Sequence, residues 1–200
     1  MNRTIGIIGS LVTALAVLCF AVCMLIQFNF GSYFVCMLLA FGFLMMIAAF
    51  HSECTIKNQI AGNLAMIFAG IYTVLVLLVY FAQTTAVRLD SLSSDALQIL
   101  DYQRLGLFFS YDLLGYGMMA LSTFFIGLTI SVHTKGDRIL KALLLIHGVF
   151  FVSCFIMPML GVFSGTDGSN WIGVLVLEVW CIYFLPIAAL SFMHFRNKLD

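Results

Sequence analysis

Six long apolar runs alternate with short polar stretches along the chain, at about residues 5–26, 33–50, 60–81, 113–132, 139–163 and 171–195. Each approaches or exceeds the roughly 20 residues that cross a bilayer as a helix. The apolar positions are continuous and do not alternate every second residue, which argues against a membrane β-barrel. Lipid offers no partner to an unpaired backbone group, so runs of this length must be helical. The pattern predicts an all-α polytopic membrane protein: one domain over residues 1–200 with six transmembrane helices. A single long polar interruption, Gln83–Asp112, separates three spans from three.

Small residues recur at helical spacing inside the runs. Gly6, Ser10 and Ala14 form one ladder in the first span, and Ala61, Ala65, Ala69 and Thr73 a clearer one in the third. Such ladders let a neighbouring backbone approach closely. In the fourth span Gly115, Ser122 and Thr129 repeat every seven residues, and Thr123, Gly127 and Ser131 every four, which predicts a helix packed on two sides. Asn63, Tyr72 and Thr73 are polar groups at membrane depth and read as interhelical hydrogen-bonding residues.

The 83–112 segment has its own internal pattern. Ser93 or Ser94 is placed to cap a helix with Asp95 in its first turn. Ala96, Leu97, Ile99 and Leu100 fall on one side at helical spacing, and Asp95, Gln98, Asp101 and Tyr102 on the other. Arg104 and Gly106 suit the end of that helix. The polar face is acidic and would be repelled by anionic headgroups. The segment therefore reads as a short amphipathic outer helix, a lid across the mouth of the bundle.

Composition sharpens this picture. The chain is 63% hydrophobic and 9% charged, with a net charge of zero. Its mean hydropathy of +1.12 rejects a soluble domain. Nine basic residues set the orientation: Arg3, Lys57, Lys135, Arg138, Lys141, Arg196 and Lys198 lie on the side of the termini, Arg88 and Arg104 on the other. The positive-inside rule places both termini in the cytoplasm and the lid outside. Tyr33, Tyr80, Tyr111 and Trp171 then fall near the outer interface as an aromatic belt. Six cysteines lie in or beside apolar runs without CxxC spacing and read as small buried hydrophobes. His51, Glu53 and Cys54 share a loop but match no metal-ligand spacing, so no metal and no cofactor is expected.

The runs Tyr80-Phe81-Ala82-Gln83-Thr84-Thr85-Ala86-Val87-Arg88 and Asp112-Leu113-Leu114-Gly115-Tyr116, with His147-Gly148-Val149-Phe150 and Leu185-Pro186-Ile187, resemble a pattern in small uncharacterised bacterial six-span integral membrane proteins. The resemblance implies a bacterial cytoplasmic membrane and carries no activity. In architecture alone the chain is also similar to the substrate-capture subunits of energy-coupling-factor vitamin transporters. There, outer loops close over a small ligand and small residues of the first helix meet a membrane partner.

Two function classes follow. One is a protein that binds or transports a small or lipophilic molecule through an outward-facing pocket beneath the lid. The other is a structural or interaction subunit assembled with another membrane protein. Nucleic acid is not an expected partner; the bilayer is. A membrane enzyme has no positive support, since no paired histidines or nucleophile with a base stand out. The candidate ligand-binding residues are Glu178, Arg88, Arg104, Asp112, Gln83, Tyr116 and His147. Glu178 leads, as an acidic group well inside a span, where a charge costs on the order of 3 kcal/mol. It would either face a cation in an outward cavity, Arg88 and Arg104 included, or donate to the Cys154 carbonyl that Pro158 frees. His147 sits about eight residues into the fifth span, either as a neutral imidazole bonded to a neighbouring helix or as a proton relay or ligand contact.

Overall fold

The structure is a computed structural model and describes residues 1–89, 92–162 and 171–197. It is helical, with six spans long and apolar enough to cross a membrane. The helices are α1 (Asn2–Leu25), α2 (Asn29–His51), α3 (Gln59–Ala82), the lid helix α4 (Ser94–Leu100), α5 (Leu107–Thr129), α6 (Lys135–His147), α7 (Phe150–Met159) and α8 (Trp171–Asn197). The fifth span is α6 and α7 together. The expected turn-rich loop at 164–170, Asp90, Lys198 and the Trp171 side chain lie outside what is described.

Each span packs on its neighbour in sequence, and the sixth closes the ring on the first. Short connections make that order the natural one. The closest approaches use glycine. A Cβ on Gly9 would lie 2.6 Å from the Met46 backbone nitrogen, and one on Gly42 would lie 2.9 Å from that of Thr13. The Gly6–Ser10 ladder is used inside the bundle: a Cβ on Gly6 would strike the Phe195 ring of α8 at 2.7 Å, and Ser10 is buried. Arg3 ties the same two helices at their ends, donating to the carbonyls of Phe195 and Arg196. The two stripes of the fourth span face two neighbours as expected. Ser122 donates to the Ala65 carbonyl of α3 at 2.8 Å, while Gly127 admits Leu144 of α6. Aromatic side chains fill the middle of the ring, with Phe43 against Tyr72 and Phe184, and Tyr116 against Tyr72 and Trp180.

Four expectations are corrected. The third span does not end at Phe81: α3 runs to Ala82 and continues as a π turn, Gln83–Val87. The widened turn is closed by the hydroxyls of Thr84 and Thr85, which donate to the carbonyls of Tyr80 and Phe81. The fourth span begins at Leu107. Asp112 is therefore not the end of the lid but a residue inside a helix. The lid is two pieces. Ser93 caps α4 by accepting from the Ala96 amide, as the pattern predicts. The chain then breaks at Asp101 into a 3₁₀ turn, Tyr102–Arg104, and it is Leu105, not Gly106, that takes the left-handed conformation, at φ 52°. Gly106 is required by space: its Cβ would meet the Gln98 carbonyl at 2.4 Å, so the bare backbone lets α4 sit on the start of α5. Finally, Thr73 bonds back to the Ala69 carbonyl of its own helix and not across to a neighbour.

Candidate functional site

The lid face of the bundle carries a buried cluster of polar side chains, a chamber filled by its own residues and roofed by tyrosine. On α3, Tyr72, Val76 and Tyr80, with Gln83 at the start of the π turn that continues it, fall on one face at spacings of three and four. On α5, Asp112 and Tyr116 are four apart and so share a face. On α2, Tyr33 and Cys36 are three apart. The three faces meet behind the lid, bringing together Asp112, Tyr80, Cys36, Tyr116 and Tyr72. Tyr80 donates to Asp112 Oδ2 at 3.1 Å. Tyr116 Oη and Cys36 Sγ lie 3.7 Å apart. Asp112 is 2% exposed, yet its Oδ1 has no hydrogen-bond partner, and neither has the Tyr72 hydroxyl. A buried polar atom left unpaired costs on the order of 1–3 kcal/mol, more when charged, so such atoms call for an explanation.

The roof is Tyr102. Its ring lies 5.9 Å from those of Tyr33 and Tyr80 and 5.3 Å from Phe109. Tyr33 and Tyr80 stack on each other at 5.5 Å. Burial first, then the nearby Asp112 carboxylate, pushes the Tyr102 phenol well above its ordinary value. The belt expected at Tyr33 and Tyr80 is thus turned inward, and Tyr102, expected on the polar side of the lid, is its plug. A tyrosine is apolar along its ring and polar at its tip, so hydropathy alone does not decide between interface and core.

Gln83 is the latch. It is buried, and its two side-chain groups grip the lid backbone from below. Nε2 donates to the Leu100 carbonyl at 2.7 Å, and Oε1 accepts from the Tyr102 amide at 3.0 Å. A third bond runs from Gln103 Nε2 to Tyr33 Oη at 2.9 Å.

The other candidates lie apart from this chamber. Arg88 stacks over the Phe30 ring at 4.6 Å. Arg104 pairs within the lid, its Nε 3.6 Å from Asp101 Oδ2 and its Nη1 3.4 Å from Gln98 Oε1. Glu178 is half-buried on α8 and its Oε1 has no partner. Among the described residues no bond joins it to Arg88, Arg104 or the Cys154 carbonyl. The packing explains this: α8 rests on α1 and α6, while α7 rests on α5, so the helices carrying Glu178 and Cys154 scarcely touch. His147 is buried beside the chamber floor with both ring nitrogens engaged. The Trp180 indole can only donate, and it donates to Nε2 at 3.1 Å. Nδ1–H therefore donates to Thr123 Oγ1 at 2.7 Å, and that hydroxyl donates to the Ala120 carbonyl. A neutral imidazole meets every one of these bonds, which is the helix-joining role.

A second polar cluster, not expected from the sequence, lies at the face of the termini. His194 bridges two carboxylates, with Nδ1 2.7 Å from Asp137 Oδ1 and Nε2 3.1 Å from Glu53 Oε2. Asp137 also closes a capping box with Thr134 at the start of α6. The bridge joins α8, α6 and the loop after α2, three places far apart in sequence. Among the described residues no group of three His, Cys, Asp or Glu could hold a metal ion.

Two open grooves mark the surface that faces lipid. One, of about 710 Å³, lies between α2 and α3 and is lined by Met37, Phe41, Leu78, Phe81, Ala82 and Phe108 among others. The other, of about 400 Å³, is confined to α3 around Gly70. Neither includes Asp112. Compared with protein families, curated proteins and solved structures, the chain finds no match.

Proposed function

We propose that this is a protein of a bacterial cytoplasmic membrane, with both termini in the cytoplasm, that takes up a small molecule from the outer side through the mouth the lid covers. The observation that carries the reading is Asp112. A carboxylate oxygen without a partner sits beneath a plug that is fixed to the bundle by a few side-chain bonds to one loop. A purely structural carboxylate in that place would be expected to have both oxygens satisfied. The excess of basic residues at the face of the termini supports the orientation. The small residues of the first helix, which the likeness to vitamin-capture subunits would turn toward a membrane partner, are used within the bundle against α2 and α8.

Two measurements test it. A cysteine at Ser93, in a chain without its native cysteines, is expected to react with an impermeant thiol reagent on intact cells. Labelling only after lysis would reverse the orientation. The purified protein in detergent is expected to gain thermal stability with a subset of small solutes, and to lose that gain in Asp112→Asn. A gain that survives Asp112→Asn would place the binding elsewhere.

A further inference from the structure

We propose that the chamber selects an organic monocation, whose ammonium head takes the place of the Tyr102 ring when the lid lifts. The proposal rests on the outward-facing site inferred above and names its ligand class.

Three features point to a cation. Asp112 is a buried acid whose neighbours are the Tyr80 hydroxyl at 3.1 Å and the Tyr102 phenol, and whose Oδ1 has no hydrogen-bond partner among the described residues. No described lysine, arginine or histidine bonds to it, Arg88 being engaged with Phe30 and Arg104 within the lid. A buried carboxylate gains most from a positive partner that arrives desolvated and close. The walls are the second feature. Tyr33, Tyr80 and Phe109 surround the Tyr102 ring, Tyr33 and Phe109 in T-shaped contact with it and Tyr80 tilted against it. Aromatic faces around a carboxylate recognise an alkylammonium through the ring quadrupole together with the charge. The third is that the plug is removable. Tyr102 is carried on a short turn held by the Gln83 side chain and by the bond of Gln103 to Tyr33, so breaking three side-chain hydrogen bonds frees it to leave a ring-sized space. The space admits a compact ammonium group, such as the quaternary head of choline or a primary amine on a short chain. An anion would meet Asp112 unshielded, and a neutral isostere would gain stacking alone.

The ammonium group could come from a free solute or from a lipid headgroup, and the membrane used distinguishes them. The protein is placed in nanodiscs of phosphatidylglycerol, which has no ammonium group, and titrated with choline, tetramethylammonium and 3,3-dimethylbutan-1-ol, the uncharged isostere of choline. Both cations are expected to bind saturably, the alcohol roughly tenfold or more weakly. Tyr102→Ala, which removes the plug, is expected to strengthen choline binding, and Asp112→Asn to weaken it. Loss of choline binding in nanodiscs of phosphatidylcholine, with binding kept in phosphatidylglycerol, assigns the site to the lipid headgroup; binding in both assigns it to the free solute. Equal affinity for choline and its alcohol overturns the cation while leaving the outward site standing. Absence of saturable binding by either cation, to wild type and to Tyr102→Ala alike, overturns the proposal. The outward site itself is tested separately, by the labelling at Ser93 and by the reactivity of Cys36. If Asp112→Asn does not fold, the ratio of choline to alcohol in the wild-type protein decides.

Discussion

Replacing Gln83 with alanine removes the latch and leaves the chamber walls untouched. The side chain makes two hydrogen bonds to lid backbone, to the Leu100 carbonyl at 2.7 Å and from the Tyr102 amide at 3.0 Å. Each contributes about 0.5–1.5 kcal/mol net, so their loss shifts the lid toward open by about 1–3 kcal/mol. Tenfold per 1.4 kcal/mol makes that a roughly 5- to 150-fold larger open population. The upper part of the range is favoured, because a closed lid in Gln83→Ala keeps an amide and a carbonyl without partners, whereas an open one gives them to water. Cys36 is a native reporter: it is fully buried, one turn below Tyr33 on α2. With Cys19, Cys23, Cys54, Cys154 and Cys181 replaced, its reaction with a membrane-impermeant methanethiosulfonate measures lid opening. The rate is expected to rise by the factor above at unchanged melting temperature, since the bundle core is not altered. An unchanged rate would refute the latch and with it the lid as the cover of the chamber.

Gly106→Ala reaches the same end by another route. Its Cβ would stand 2.4 Å from the Gln98 carbonyl and lift α4 from α5, so Cys36 is again expected to react faster. Trp180→Phe leaves His147 Nε2 buried and unpaired, and is expected to cost about 1–3 kcal/mol of stability in a detergent unfolding assay. No loss would mean that the His147 bonds are replaced by water. Glu178→Leu removes a buried oxygen that has no partner and is expected to leave the melting temperature level or raised. A fall would reveal a bond that the half-buried carboxyl depends on. Gly9→Ala drives a Cβ against the Met46 backbone at 2.6 Å, which no rotamer relieves, and is expected to destabilise by about 1–3 kcal/mol or more.

The span count and the lid helix were legible because both rest on local signals. An apolar run long enough for lipid must be a helix, and Ser93 caps the helix it precedes wherever that helix lies. Asp112 was misplaced for a physical reason. Hydropathy ends a span at its first acid, but a helix covered by a lid can carry the acid inside and continue outward to Leu107. Asp112, Tyr116 and Gln83 stand out in the sequence because each is a polar group at the edge of an apolar run, and the fold gathers them behind the lid. The inward turn of Tyr33, Tyr80 and Tyr102 was not legible, since the amphipathic phenol suits an interface and a core equally. Nor was the bridge of His194 between Asp137 and Glu53, whose members come from α8, α6 and a loop and share no spacing. Glu178 drew attention through its depth, which sequence measures well. Its lack of a partner depends on how far α8 stands from α7, which sequence does not measure.

A span broken near its middle behaves as two short levers and not as one long beam. At Gly148 and Val149 the fifth span tightens to bonds three residues apart, Gly148 to Leu145 and Val149 to Ile146, before α7 resumes. Gly148 admits Phe124, whose Cβ would lie 2.8 Å from any added methyl, so the tightening follows from close contact with α5. The lever toward the termini is riveted to α8 through Trp180–His147, Tyr183–Leu143 and His194–Asp137. Among the described residues the lever toward the lid leans chiefly on α5, touching α8 at its root through Phe150 and Tyr183. Lateral pressure from one leaflet therefore bears on a rigid wall and pressure from the other on a hinged one.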